Sequence, residues 1–145
     1  MSAVQPFVVL DSEAVSLLAN ADRAMYSWAQ LAQETDAVLR TSSLTLTETT
    51  DGTPRAARVH NALRIFAVRT VEVTDDIALT AGRLRARAST ARRKARDLTV
   101  DAVVAATALA LPAPVLVVTA DPGDLSLLLD GTNVTVKAIA DGSTT

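Results

Sequence analysis

Val115-Leu116-Val117-Val118-Thr119-Ala120-Asp121-Pro122 is the stretch on which the fold turns. A short β-branched run gives way to an acid and then to proline, the pattern of a buried strand handing over to a helix. Asp121 before Pro122 reads as an N-cap with proline at the first helical position. The same order recurs near the start of the chain, where Asp11 closes the run Phe7-Val8-Val9-Leu10. A third acid, Asp101, sits one residue into the nearly continuous apolar stretch Val100 to Leu111. Strands of this kind alternating with helices predict a sheet that is mainly parallel. The functional crevice of such a sheet lies beyond the carboxyl ends of its strands.

The segments between these runs complete an α/β pattern. Ala14, Val15, Leu17 and Leu18 suggest a short helix ending near Asn20. Asp22 is placed to cap a second helix reaching Glu34, with Met25, Trp28, Ala29 and Leu31 toward the core. The next strand is Ala37-Val38-Leu39 or an overlapping stretch as far as Leu46. Threonine suits strands while Ser and Thr also cap helices, so Thr41 to Thr47 admits both readings. After the break Asp51-Gly52-Thr53-Pro54, a helix carries Ala57, Leu63 and Phe66, and Val68 to Val73 gives a third strand. Thr74-Asp75-Asp76 caps a long helix, a buried helix follows from about Thr99 to Leu111, and another starts after Pro122. Asn133 to Ile139 is the last strand and 141–145 a polar tail. No internal repeat or linker interrupts the pattern, so one domain over 1–145 is expected, with its core over about 7–139.

Composition removes several classes of chemistry. With 145 residues, 49% of them apolar, the chain is long enough to bury a core. It has no cysteine, which excludes thiolate zinc, disulfides and cysteine nucleophiles and fits a reducing cytoplasm. His60 is the only histidine and falls within a helical pattern, so no histidine pair or serine triad can be read. There is no glycine-rich phosphate loop. The first six residues lack the basic and long apolar regions of a signal peptide, and no run approaches the ~20 apolar residues of a membrane helix. A soluble, cytoplasmic protein without a membrane partner is the expectation.

Each acid at a strand end has an ordinary role open to it. Asp11 or Ser12 can cap the first helix, Asp97 or Thr99 the buried one, with Asp101 offsetting its dipole, and Asp121 the helix opened by Pro122. Taken together they point further, because all these helix starts face one edge of one parallel sheet. Carboxylates converging there repel one another unless a cation intervenes. With oxygen the only ligand type on offer, that cation is a hard divalent metal.

Val8-Val9-Leu10-Asp11-Ser12-Glu13-Ala14, Leu44-Thr45-Leu46-Thr47-Glu48, Thr99-Val100-Asp101-Ala102-Val103-Val104-Ala105-Ala106-Thr107-Ala108 and Val118-Thr119-Ala120-Asp121-Pro122-Gly123-Asp124-Leu125 resemble the successive motifs of PIN domains, in particular bacterial VapC-type toxins. The resemblance runs in order from Phe7 to Ile139 and is most specific in the Asp-Ala-x-x-Ala-Ala-Thr-Ala element. It implies a three-layer α/β/α sandwich around a central, mainly parallel sheet, and a ribonuclease dependent on Mg²⁺ or Mn²⁺. Carried over by position, Asp11, Glu48, Asp101 and Asp121 are the acidic catalytic quartet, with Asp11, Asp101 and Asp121 as metal ligands. Thr119, Ser12 and Asp97 are supporting residues. An RNA substrate, a homodimer and a small cognate antitoxin that blocks the site also follow from the resemblance.

A rival within the same fold is a PIN-like module that binds RNA or protein without cutting. A receiver-like domain would need an acidic pair just after the first strand and a lysine after a late one, and neither is evident. Although the net charge is −2, Arg83, Arg85, Arg87, Arg92, Arg93, Lys94 and Arg96 form a block that no acid interrupts. Arg92, Arg93, Lys94 and Arg96 are candidate RNA-backbone contacts, with a solvated surface or an antitoxin contact as the alternatives.

Overall fold

In the computed structural model, which describes residues 4–91 and 97–140, the two apolar runs lie side by side. β1 (Phe7–Leu10) pairs with β4 (Val115–Thr119) on one side and with β2 (Val38–Ser42) on the other. β3 (Arg69–Val71) and β5 (Thr135–Ala138) form the edges of a five-stranded sheet of order β3-β2-β1-β4-β5, in which every neighbouring pair is parallel. Strand order reverses between β1 and β4, which opens the crevice expected at such a switch point.

Alternation along β1 divides the core in two. Val9 packs on one face with α5 (Asp75–Ala91), α6 (Thr99–Ala110) and α7 (Pro122–Leu128). Val8 and Leu10 pack on the other with α1 (Ser12–Ala19), α2 (Arg23–Glu34) and α4 (Arg55–Ile65). Successive strand side chains point to opposite faces, so both faces of the central strand must be apolar once helices cover both. The result is the expected α/β/α sandwich. α6 is buried along most of its length, from Ala102 to Ala108, which accounts for its lack of a polar face.

Several boundaries differ from the sequence expectation. The Thr/Ser-rich stretch splits: β2 stops at Ser42, and 45–49 form the short helix α3 (Thr45–Thr49). Buried hydroxyls make that turn. Thr41 Oγ1 donates to the Leu10 carbonyl at 2.7 Å, Thr45 Oγ1 donates to the Ser42 carbonyl at 2.7 Å, and the two hydroxyls lie 2.7 Å apart. Threonine here satisfies backbone where the strand ends, which a propensity scale does not register. β3 keeps only three residues of the six expected, because as an edge strand it pairs with β2 alone. Leu31 was expected in the core but is 46% exposed; Met25, Ala29 and Ala32 take the buried face of α2. Trp28 is partly buried and donates its Nε1–H to the Ile139 carbonyl at 2.9 Å.

Arg92, Arg93, Lys94 and Arg96 lie outside the described residues. Of the same basic block, Arg83, Arg85 and Arg87 stand on α5 and bond within the chain. Arg83 donates to Thr80, Arg85 to Thr99 at the start of α6, and Arg87 to the carbonyls of Leu128 (2.8 Å) and Asp130 (3.1 Å). Arg87 thereby satisfies carbonyls at the end of α7, where a cation is favoured. Arg87→Gln is expected to cost about 1 kcal/mol, discounted for solvent screening, and a few degrees of Tm in a thermal melt.

Candidate active site

The register of the sheet places the site before any side chain is considered. Leu10 stands opposite Thr41 on one side and Val118 on the other, so the residues that follow β1, β2 and β4 emerge together at one edge. Asp11 caps α1 directly after β1, accepting from the Ala14 N–H at 2.8 Å through Oδ1. Its other oxygen, Oδ2, accepts the Thr119 hydroxyl at 2.5 Å. Thr119 is 1% exposed and ends β4; its Oγ1 also accepts the Asp121 N–H at 3.2 Å. Asp121 in turn caps α7 by accepting from the Gly123 N–H at 3.2 Å.

Asp11, Glu13, Glu48, Asp101, Asp121 and Asp124 line one cavity of about 240 Å³, together with Ser12 and Thr119. They arrive from four places: Asp11, Ser12 and Glu13 from the β1–α1 junction, Glu48 from α3, Asp101 from the first turn of α6, and Asp121 and Asp124 from the β4–α7 junction. Glu48 is exposed but tethered, because the Ser12 hydroxyl donates to its Oε1. Asp97 does not line this cavity. It accepts the Thr99 N–H at 2.9 Å and the Thr99 hydroxyl at 2.5 Å, which shapes the entry to α6 and holds its carboxyl below the usual range. Glu13 was not singled out by sequence reasoning; its place one residue after Ser12 was the only signal for it.

Asp11 is 7% exposed, and burial pushes its carboxyl above the usual range. The hydrogen bonds from Thr119 and Ala14 oppose that shift, while the charges of Glu13 and Glu48 add to it. A raised folded-state value means that the native protein binds this proton more tightly than the unfolded chain does. The corresponding stability is complete below the unfolded value and is lost as pH rises through the folded one. In metal-free protein at neutral pH the ionised Asp11 is therefore a burden on the fold. Asn keeps both bonds, since the Thr119 hydroxyl can turn to accept. Asp11→Asn is expected to raise Tm at pH 7 by a few degrees, the shift of about 1 kcal/mol, with the gain vanishing in acid. Equal gains at both pH values would remove the electrostatic cause.

The donor set is all oxygen, which suits a hard divalent cation better than a thiophilic one. Among the described residues no three His, Cys, Asp or Glu side chains are grouped closely enough to hold a metal ion directly. Six carboxylates around one open cavity fit an ion that keeps part of its water shell, as Mg²⁺ does.

No protein-family model and no curated protein sequence matches the chain. Solved structures do. A chain of VapBC2 from Rickettsia felis, bound to a promoter DNA fragment, is 14% identical with a TM-score of 0.66, covering 91% of this chain and 98% of that one. DNA-bound VapBC from Salmonella typhimurium matches at 15% identity and a TM-score of 0.65, over 94% and 99% of the two chains. VapBC-5 from Mycobacterium tuberculosis matches at 26% identity and a TM-score of 0.53, over 91% and 98%. A five-stranded parallel sheet between two helical layers, with its carboxylates gathered at one edge, has the PIN-like fold of the VapC-type toxins.

Proposed function

We propose that this chain is a metal-dependent ribonuclease and the toxin of a toxin–antitoxin pair. The observation that carries the reading is the cavity in which Asp11, Glu48, Asp101 and Asp121 meet at the carboxyl edge of the sheet. In this reading Asp11, Asp101 and Asp121 hold Mg²⁺ or Mn²⁺, in part through water. What such an ion supplies when bound is a water of lowered pKa and neutralisation of charge on the phosphoryl oxygens. Thr119 fixes the rotamer of Asp11 through its hydroxyl. Ser12 fixes that of Glu48, so that the free oxygen of Glu48 can orient the attacking water toward phosphorus. These hydroxyls keep the carboxylates from swinging apart under mutual repulsion, and so position them before substrate arrives.

One of the similar structures, VapBC-5, is described as a member of the VapBC family of toxin–antitoxin systems, which supports a small cognate antitoxin for this chain. A homodimer acting in the cytoplasm belongs to the same reading; light scattering of the purified chain checks the dimer. Cleavage of RNA is measured with Mg²⁺, with Mn²⁺ and with EDTA. Activity with either ion and none with EDTA is expected. Cleavage unaffected by EDTA removes the metal.

The spacing of the carboxylates favours a second reading, a PIN-like module that binds RNA without cutting it. RNA binding with no cleavage in either ion would select it.

A further inference from the structure

A polyanion approaching six carboxylates needs positive charge nearby, beyond whatever ion the cavity holds. The described arginines of α5 are already bonded to their own chain. A different pair stands next to the cavity. Glu48 lines both the acidic cavity and an adjoining groove of about 170 Å³, whose far wall is formed by Arg55 and Arg58 of α4. The same two arginines continue into a third, open depression of about 450 Å³ with Asp51, Thr53 and Pro54. The three hollows adjoin through shared residues: Glu48 lines the first two, and Asp51, Arg55 and Arg58 line the second and third.

Arg55 and Arg58 are three residues apart, hence on one face of α4 and about 4.5 Å apart along its axis. The adjoining stripe of the helix, Val59, Ala62 and Leu63, is anchored in the core, and Val59 lines the groove beside the two arginines. The turn that delivers Arg55 is rigid. Asp51 accepts from the Thr53 N–H at 3.0 Å and from its hydroxyl at 2.5 Å, Gly52 takes φ +77°, and Thr53 Oγ1 accepts the Arg55 N–H at 3.3 Å. Asp51 is held mainly by its own turn, with the Arg55 charge a smaller influence on it, and Glu48 is held by Ser12.

We propose that RNA cut at the acidic cavity runs past Glu48 into this groove, where Arg55 and Arg58 hold the phosphates flanking the scissile one. The proposal rests on the ribonuclease reading, so its test is made on binding and not on cleavage. Full-length protein carrying D101N, in EDTA, is titrated with fluorescein-labelled oligouridylate over a range of salt concentrations. Adding R55Q and R58Q together is expected to weaken binding about tenfold at low salt. The slope of log affinity against log salt should flatten by about 1.4, two contacts at ~0.7 each on a single strand. R64Q with R69Q removes the same charge from exposed positions that do not line the groove, and should leave the slope unchanged. Thermal melts establish that every variant is folded.

An unchanged slope in the R55Q/R58Q protein overturns the proposal, as does an equal loss in R64Q/R69Q, which would reduce the effect to net charge. A polyglutamate peptide bound as tightly as the RNA, and lost in the same variant, would reassign the groove to an acidic protein segment. Failure of the wild-type protein to cut RNA with Mg²⁺ or Mn²⁺ removes the nuclease reading and leaves the slope measurement standing by itself.

Discussion

Asp101→Asn is expected to reduce RNA cleavage in Mn²⁺ by about 10³-fold while the protein stays folded. Asn preserves size and polarity in the first turn of α6 but deletes one unit of negative charge from the cavity. A carboxylate that holds a catalytic ion contributes several kcal/mol to the transition state, and about 4 kcal/mol corresponds to that factor. The structural cost is much smaller. An acid in the first turn of a helix is worth about 0.3–1 kcal/mol through the helix dipole, a Tm change of a few degrees. Activity and melting temperature therefore separate the two roles. Wild-type cleavage rates with a lowered Tm would make Asp101 a helix-stabilising residue and nothing more.

Leu10→Ala is expected to do the reverse. Leu10 is fully buried on the central strand, packed among the residues of α1, α2 and α4, and immediately precedes Asp11. Truncation removes the transfer free energy of its side chain and leaves a void that two flanking strands prevent from collapsing. Such changes cost about 2–5 kcal/mol, and about 3 kcal/mol would lower Tm by roughly 10 °C here. At temperatures where the variant remains folded, cleavage should persist, because the cap on α1 and the Thr119 bond are both made by the Asp11 side chain and not by Leu10. Melting followed by circular dichroism, with cleavage assayed well below the midpoint, measures both. A loss of less than 1 kcal/mol would mean that the core on this face repacks easily.

These two variants also mark what could be read from sequence. β1, β4 and α6 were legible because burial on both sides forces nearly continuous apolar runs, and the acids closing them were legible because chain polarity changes abruptly there. α3 was ambiguous for a physical reason: the hydroxyls of Thr41 and Thr45 bond across 31 residues and within a turn, and neither partner is visible in a local window. Leu31 reads as core by type, yet one more residue along the helix carries Ala32 into the core instead. Asp97, a supporting residue by its sequence position, lies outside the cavity that Asp101 lines, because its bonds to Thr99 turn it to serve the helix start. Arg55 and Arg58 gave no signal, because two arginines on a polar helix face become a groove only when α1 and α3 supply its other walls.

The Thr119–Asp11 bond joins residues 108 positions apart. Every piece of the chain that ends before β4 lacks one wall of the cavity and the hydroxyl that fixes its most buried carboxylate. A nascent chain emerging from the ribosome therefore carries no assembled site until β4 has been made and has inserted beside β1. For a protein whose proposed substrate is RNA, the order of synthesis is itself a safeguard: the machine that makes the chain is the RNA nearest to it, and the chain is inert for most of that encounter.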